Sequence, residues 1–344
     1  MKFNTVTIKD IAKALGLSTS TVSRALRGGY EISEETKKIV LEYAEKINYR
    51  PNPIALSLKE RRSHSIGVVV SEIANNFFSQ AINGVESVAY NRDYHVIITQ
   101  SHERFDREVM NVEHLASRSV DGLLISLSSE SSDISYLKSL HDKGLPMVFF
   151  DRITEEIHTH RVIADNLKGS FEATEYLISL GHKRIAHITN ASHLSITRER
   201  LEGYKAALQR YQLPFNEDYV KHGKSQGIEQ EEIDQAIREL FELPEPPEAI
   251  FIAQDKLSLF CLMAIKKLAP AHLEDIAIAG FTNANVVDLF SPSITAVRQP
   301  AFDMGKTATE LLLQLIESKR PVEEFQTKVF NTELIFTNSH RISG

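Results

Sequence analysis

Apolar positions along the chain recur in two rhythms, and the switches between them mark the elements. Short apolar runs at residues 66–70, 95–99, 122–127 and 147–150 read as strands, separated by amphipathic helical patterns near 79–91, 107–118 and 134–142. A second series follows, with strands predicted at 162–164, 184–188, 249–253 and 276–280 and helices near 168–180, 198–211, 230–241 and 256–268. Strands without polar alternation are covered on both faces, so this order predicts parallel sheets, and two series predict two doubly wound subdomains. The tail adds a strand at 294–298, a helix at 302–318 and a final strand at 330–336. No internal repeat or low-complexity tract stands out, and the Pro-rich stretch at 243–247 reads as a helix terminator and loop.

The first 60 residues follow another pattern. Ile8, Ile11, Ala12 and Leu15 share one helical face, and Gly16 suits the left-handed conformation that ends a helix. Ser18 or Thr19 can cap a second helix whose apolar side is Val22, Ala25 and Leu26. Two short helices around a Gly-containing turn form a helix-turn-helix pattern, and a third amphipathic helix is predicted at 34–47. Pro53 then opens a short segment in which Ala55, Leu56 and Leu58 form one apolar face, too short to be a stable helix alone.

Charge divides along the same line. The net charge of −7 looks wrong for a nucleic-acid binder until residues 1–62, with 12 Lys/Arg against 7 Asp/Glu, are set apart from residues 63–344, with 27 against 39. A head of net +5 on a body of net −12 approaches phosphates with one end only. The chain of 344 residues is long enough for two or three cores. It has no apolar run near 18 residues and no signal-peptide pattern, which predicts a cytoplasmic protein without a membrane partner. The single cysteine, Cys261, lies in an apolar helical stretch and reads as a small core residue.

The run T-V-T-I-K-D-I-A-K-A-L-G-L-S-T-S-T-V-S-R-A-L at 5–26 and the run N-Y-R-P-N-P-I-A-L-S-L-K at 48–59 are similar to the head and linker of the lactose repressor (LacI/GalR) family of bacterial transcription regulators. The resemblance is dense in the head and continues more loosely to about residue 338. It implies a helix-turn-helix domain at 1–50, a hinge helix at 51–62 and an effector-binding, dimerising body at 63–338. The body would be periplasmic-binding-protein-like, its two subdomains spanning 63–163 plus 293–324 and 164–292 plus 325–338. A recognition helix enters the major groove by its N-terminal end. The resemblance then makes Thr19 and Ser20 the variable reading pair and Arg24 the residue that reaches guanine, with Ser18, Thr21 and Ser23 on phosphates. It also implies that Asn52, Ala55, Leu58 and Lys59 belong to a hinge helix that pairs with its dimer mate, Leu58 wedging between base steps in the minor groove.

Ligands of open parallel sheets bind beyond the carboxyl ends of the strands. By the family's pattern those positions are 75–78, Asp151 and Arg152, Asp165 and Asn166, Arg200 in its R-x-x-G-Y context, Gln254 and Asp255, and Thr282 and Asn283. Phe77 or Phe78 would stack on a ring, while Asp151 and Arg200 would hydrogen-bond substituents such as sugar hydroxyls. Thr282 departs from the pattern, which has Asp there; a hydroxyl accepts less than a carboxylate, and the usual sugar reading is weakened accordingly.

The pattern G-x-S-x-G at 223–227 invites a hydrolase reading, but the polar residues 217–222 before it are too short and wet for the central strand that a nucleophile elbow needs. His158 and His160 read as an exposed loop, since no third metal ligand stands at a standard spacing. No Walker loop or dinucleotide fingerprint occurs. The sequence therefore predicts a homodimeric transcription regulator without cofactor or metal, a repressor in its expected sense, rather than an enzyme or a sugar-binding module with a silent head. Its expected partners are double-stranded operator DNA of near-palindromic sequence and a sugar or sugar-phosphate effector, with room for a protein coregulator. The chain ends at Ser343 and Gly344 without a heptad extension, so no coiled-coil tetramerisation tail is expected.

Overall fold

The computed structural model describes residues 6–49, 62–191, 193–223, 229–273, 275–284 and 292–336, and the chain divides into a head, Met1–His64, and a body, Ser65–Gly344. Three helices form the head: α1 (Ile8–Leu15), α2 (Thr19–Ala25) and α3 (Glu34–Lys46). Asp10 caps the first turn of α1 by accepting from the Thr7 backbone N–H at 2.8 Å, and Gly16 ends that helix with φ of +66°. Ser18 caps α2, its Oγ accepting from the Thr21 N–H at 3.0 Å. Ile11, Ala12, Val22, Ala25, Val40 and Ala44 form the buried centre of the head.

In the body the first series is β1 (Ser65–Val70), α4 (Asn76–Asn91), β2 (His95–Gln100), α5 (Phe105–Ser117), β3 (Gly122–Ile125), α6 (Ser135–Asp142), β4 (Met147–Phe150) and β5 (Arg161–Ala164). The second is α7 (Asn166–Ser179), β6 (Ile185–Thr189), α8 (Ser195–Arg210), β7 (Val220–His222), α9 (Gln230–Phe241), β8 (Ala249–Ile252), α10 (Asp255–Leu268) and β9 (Ala277–Phe281). The tail is β10 (Ile294–Arg298), α11 (Ala301–Glu317), β11 (Thr327–Phe330) and β12 (Glu333–Ile335). Residues 217–222, read from sequence as polar and wet, contain the edge strand β7, which pairs in parallel with β6.

Two six-stranded sheets result, ordered β11-β5-β4-β3-β1-β2 in the first lobe and β12-β10-β9-β8-β6-β7 in the second. This corrects the subdomain boundaries expected from sequence. Strand β10 belongs to the second lobe, parallel to β9, whereas residues 293–324 were assigned whole to the first. The strand expected at 330–336 is β12, which runs antiparallel to β10 in the second lobe, and before it stands β11, not expected from sequence, which runs parallel to β5 in the first. Hydrophobic periodicity reports elements and not their pairing partners, so nothing in the pattern of the tail adjusts the division that the resemblance implies. The chain thus crosses between lobes at residue 165, at 299–300 and at 331–332.

Each sheet is covered on both faces. Helices α4 and α11 pack on one side of the first sheet against Ile66, Val68, Leu124 and Val148, and Val112, Leu115, Ile125 and Phe149 fill the other side. In the second lobe Cys261, Leu257 and Ile265 of α10 join Ile188, Ile250 and Ile252, and Tyr204 joins Phe251 and Phe281 across the sheet. Cys261 is fully buried, and burial pushes its thiol up from the ordinary range. Helices α4 and α11 meet backbone to backbone: a Cβ on Gly84 would lie 2.0 Å from the Phe302 carbonyl oxygen, and one on Gly305 would lie 2.0 Å from that of Ala81.

Residues His158 to His160 are not an exposed loop throughout. Thr159 and His160 are buried, and the His160 Nδ1 accepts from the Gln326 N–H at 2.9 Å beside the Phe325 ring, which joins β5 to the approach of β11. Of the G-x-S-x-G run, Gly223 donates its N–H to the Thr189 carbonyl at 2.8 Å, and the rest lies outside the described residues.

Candidate functional site

In the head, Thr19, Ser20 and Arg24 are exposed on α2, and Thr21 and Ser23 are half-buried. Ser18 is committed to capping, with Ser20 Oγ at 2.7 Å and Thr21 Oγ1 at 2.8 Å from its Oγ. The Ser23 hydroxyl accepts from Arg27 at 2.9 Å. Arg24 is held by Glu31, its Nη1 2.7 Å from the Glu31 Oε2 with both side chains about half exposed. An ion pair this exposed contributes ~1 kcal/mol or less and yields to a better partner. The fully solvated Tyr30 beside this pair was not singled out in the sequence, since periodicity marks it only as loop. Asn52, Ala55, Leu58 and Lys59 lie outside the described residues.

In the body, the carboxyl ends of the strands from both sheets line a narrow cleft, open to solvent at its mouth. Phe77, Phe78, Asp151, Arg200, Gln254 and Thr282, all expected there, line it together with Asn75, Arg152, Asp255 and Asn283. Asp165 does not. Its carboxylate accepts from the Lys168 N–H at 3.0 Å and caps α7, a role that Asp commonly takes before a helix and that removes it from the ligand.

Asp151 follows β4 with φ of +60°, a left-handed conformation that Asp tolerates better than most residues. The turn is fixed by its N–H, which donates to the Val162 carbonyl at 2.9 Å. Burial pushes its carboxyl up from the ordinary Asp range, against the pull of the nearby Arg152 and Arg200 cations. Arg200 is 3% exposed. Its Nε donates to the Asn166 Oδ1 at 2.9 Å, its Nη1 to the Ala253 carbonyl and its Nη2 to the Gln299 Oε1 at 3.4 Å. The guanidinium carbon stands 3.7 Å over the Phe281 ring centre. Burial lowers this guanidinium to about 10, so it remains a cation at neutral pH.

Thr282 does not act as a shortened version of the family's carboxylate. Its hydroxyl donates to the Asp255 Oδ1 and accepts from the Ala284 N–H at 3.1 Å, so the cleft carboxylate is supplied by Asp255, one strand away. Burial raises the Asp255 carboxyl, with the Thr282 and Asn76 hydrogen bonds opposing the rise. A carboxyl raised in the native state gives a contribution to stability that is fully present below its unfolded value near 3.8 and is lost as pH rises through the native value. Asp255→Asn is therefore expected to remove that component, giving a flatter fall of Tm above pH 3.8, and a scan of Tm against pH in both proteins checks it.

Arg152 points its Nη1 to Glu103 at 2.6 Å and to the Leu127 carbonyl at 3.3 Å. Burial pushes the Glu103 carboxyl up, but Arg152 and the Ser129 N–H outweigh it and leave it below the ordinary range. Sequence reasoning missed Gln299, at the second lobe crossing. Its Nε2 donates to Asp151 at 3.4 Å while its Oε1 accepts from Arg200, so it separates the two charges of the cleft. The end of a strand followed by Pro300 was the available signal. Across the lip, Gln80 of α4 and Asn283 exchange hydrogen bonds of 3.1 and 2.8 Å, and Asn283 also accepts from the Gln299 backbone N–H at 3.2 Å.

The family model for bacterial regulatory proteins of the lacI family matches residues 7–52, and that for a periplasmic binding protein-like domain matches residues 174–339. The HTH-type transcriptional repressor PurR of Vibrio cholerae serotype O1 is 30% identical over 324 residues, covering 94% of each chain. Among solved structures, the complex of the transcriptional regulator CelR with cellobiose is 28% identical, covers 97% of this chain and 99% of its own, and gives a TM-score of 0.69. The lac repressor dimer bound to operator and an anti-inducer shares the fold, with a TM-score of 0.80 at 23% identity over 97% of this chain and 98% of that one. Among the described residues no helix is long and apolar enough to cross a membrane. A helix-turn-helix head, a two-lobed body with a polar cleft and these relatives lead to one assignment: the chain belongs to the lacI family of bacterial regulatory proteins, DNA-binding transcription regulators under ligand control.

Proposed function

We propose that the chain is a homodimeric repressor that binds a near-palindromic operator through its two heads, and that its cleft takes an uncharged sugar. The observation that carries the sugar reading is the pairing of Asp151, Asp255 and Arg200 with Phe77 and Phe78 in one cleft. Vicinal hydroxyls donate to carboxylates and accept from a guanidinium, while the apolar face of a sugar ring lies against an aromatic edge. A sugar phosphate fits less well. Arg152 is already matched by Glu103, and the remaining Arg200 has the Asp151 and Glu199 carboxylates as its charged neighbours, so a dianion would meet no surplus of positive charge. The cellobiose in the CelR complex supports the same ligand class.

The test is retention of operator DNA by the full chain with and without a panel of neutral sugars and sugar phosphates, alongside Tm. A neutral sugar is expected to raise Tm by mass action and to change the DNA affinity. Tm that moves with no neutral sugar counts against the cleft assignment. On the DNA side, Arg24→Ala is expected to weaken specific binding by about 1–3 kcal/mol, the size of one good base contact. Glu31→Gln is expected to strengthen binding by up to about fivefold, since it frees Arg24 from a weak pair. Gel shifts against operator and scrambled DNA decide both.

A further inference from the structure

The turn that follows α2 folds back onto that helix. The Gly29 N–H donates to the Arg24 carbonyl at 2.9 Å, an approach that leaves a Cβ on Gly29 only 3.2 Å from the same oxygen. Ile32 then packs against the core of the head, and the Glu31 between them is set beside the Arg24 side chain. Among the described residues of the head, Asp10, Glu34, Glu35, Glu42 and Glu45 all sit in helices, and Glu31 is the acid that does not. Helix dipoles account for Asp10, Glu34 and Glu35, each in a first turn. Glu31 has no such role; its carboxylate accepts from the Arg24 Nη1 at 2.7 Å. No other hydrogen bond of the Arg24 side chain occurs among the described residues, so its Nε and Nη2 donors stay open. The second cation of the turn is restrained too, for Arg27 folds back on Ser23 through its Nε and Nη2, each at 2.9 Å.

DNA offers Arg24 two kinds of acceptor. A guanine edge presents O6 and N7, uncharged atoms at a spacing that a guanidinium fork meets with paired hydrogen bonds. A phosphate presents a negative charge, and it does so at every step of any duplex. The Arg24–Glu31 pair has no net charge, so its attraction to phosphates is largely cancelled, and the carboxylate itself repels them. The directional bonds of the open Nε and Nη2 edge to a guanine survive, because they depend on geometry more than on net charge. A neutral pair therefore loses much on phosphate and little on guanine.

We infer that Glu31 is a specificity-determining residue: it withholds Arg24 from phosphates and leaves it open to a guanine. This rests on Arg24 as a base reader and adds the residue that keeps it from gripping DNA of any sequence. In the experiment the full chain selects duplexes from a random pool, and affinities for a selected duplex and a scrambled one are then measured over a range of salt. Glu31→Gln is expected to bind the scrambled duplex about fivefold tighter and the selected one at most about twofold tighter, so the ratio between them falls. On scrambled DNA the log–log salt slope is expected to steepen by about 0.9 for each head that gains a phosphate. In an Arg24→Ala background the same change is expected to move the scrambled affinity by less than about twofold. If Arg24→Ala lowers the ratio but Glu31→Gln does not, the inference is overturned and Arg24 remains a base reader. An equal effect of Glu31→Gln with and without Arg24 also overturns it, because the carboxylate then only repels DNA. If Arg24→Ala leaves the ratio intact, the base-reading role falls and takes the inference with it.

Discussion

Replacing Arg200 with Met is expected to abolish ligand-induced stabilisation, with a loss of about 2–5 kcal/mol in effector binding, the usual cost of removing one partner of a buried charged contact. The guanidinium makes three hydrogen bonds within the protein and covers the Phe281 ring, so it would meet a ligand from a rigid mount. Methionine keeps much of the apolar stem but leaves the Asn166 Oδ1, the Ala253 carbonyl and the Gln299 Oε1 without this donor. The unliganded body is therefore expected to lose stability on the order of 3 kcal/mol as well. Removing the cation also removes one of the charges that hold the Asp151 carboxyl down, so that group rises further. Calorimetric titration with a sugar that stabilises the parent separates the two effects: the affinity loss survives at temperatures where both proteins are fully folded. DNA binding by the unliganded variant is expected to stay near that of the parent, and a parallel loss of DNA binding would show that Arg200 acts through global stability instead.

The second large effect concerns packing. Gly84→Ala and Gly305→Ala each add a single methyl group, yet each places it 2.0 Å from a carbonyl oxygen of the facing helix. A flexible side chain cannot give way here, because the obstacle is backbone. Helices α4 and α11 must then separate, and α11 carries Met304, Ala308, Leu312 and Leu313 into the core of the first lobe. A loss of about 1–3 kcal/mol or more is expected for either change, measured by urea denaturation of the body. The same substitution at Gly144, where nothing lies within 4 Å but φ is +92°, gives the comparison, since only backbone strain acts there.

Much of this architecture was readable from periodicity because buried parallel strands are continuous apolar runs; β1, β4 and β8 sit almost where that pattern puts them. What failed was short or paired at a distance. Strand β7 is three residues long and carries a Lys and a His, so it has no apolar signature. Strand β11, four residues that include a Thr and a Lys, has no continuous apolar run, and nothing local reveals that it and β12, two residues further on, join different sheets. In the cleft, Phe77, Phe78, Asp151, Arg200, Gln254 and Thr282 are the positions that the resemblance to the family implies, and all six line it. Asp165 occupies such a position too, but its local context, an Asp immediately before a helix, was the better guide. The partner of Thr282 was not legible for a three-dimensional reason: the acid that it pairs with, Asp255, is 27 residues away in the chain.

The order in which the chain leaves the ribosome has a consequence for how the body reaches its native state. The first lobe's last early strand ends at Ala164, but its core also needs Ala301, Met304, Ala308 and Leu311 to Leu313 of α11, and its edge needs β11, which ends at Phe330. The nascent first lobe must therefore wait while the whole second lobe is synthesised, roughly 8–30 s at typical rates of translation. During that wait the apolar faces of β1, β3 and β4 that α11 will cover stand open to water or to a chaperone. A second lobe that still lacks β12 emerges onto an unfinished first one, so the two halves close together within the final few dozen residues of synthesis. A chain released before residue 330 leaves the first sheet without its edge and the second without β12, and a stop codon that late in the message silences both lobes at once.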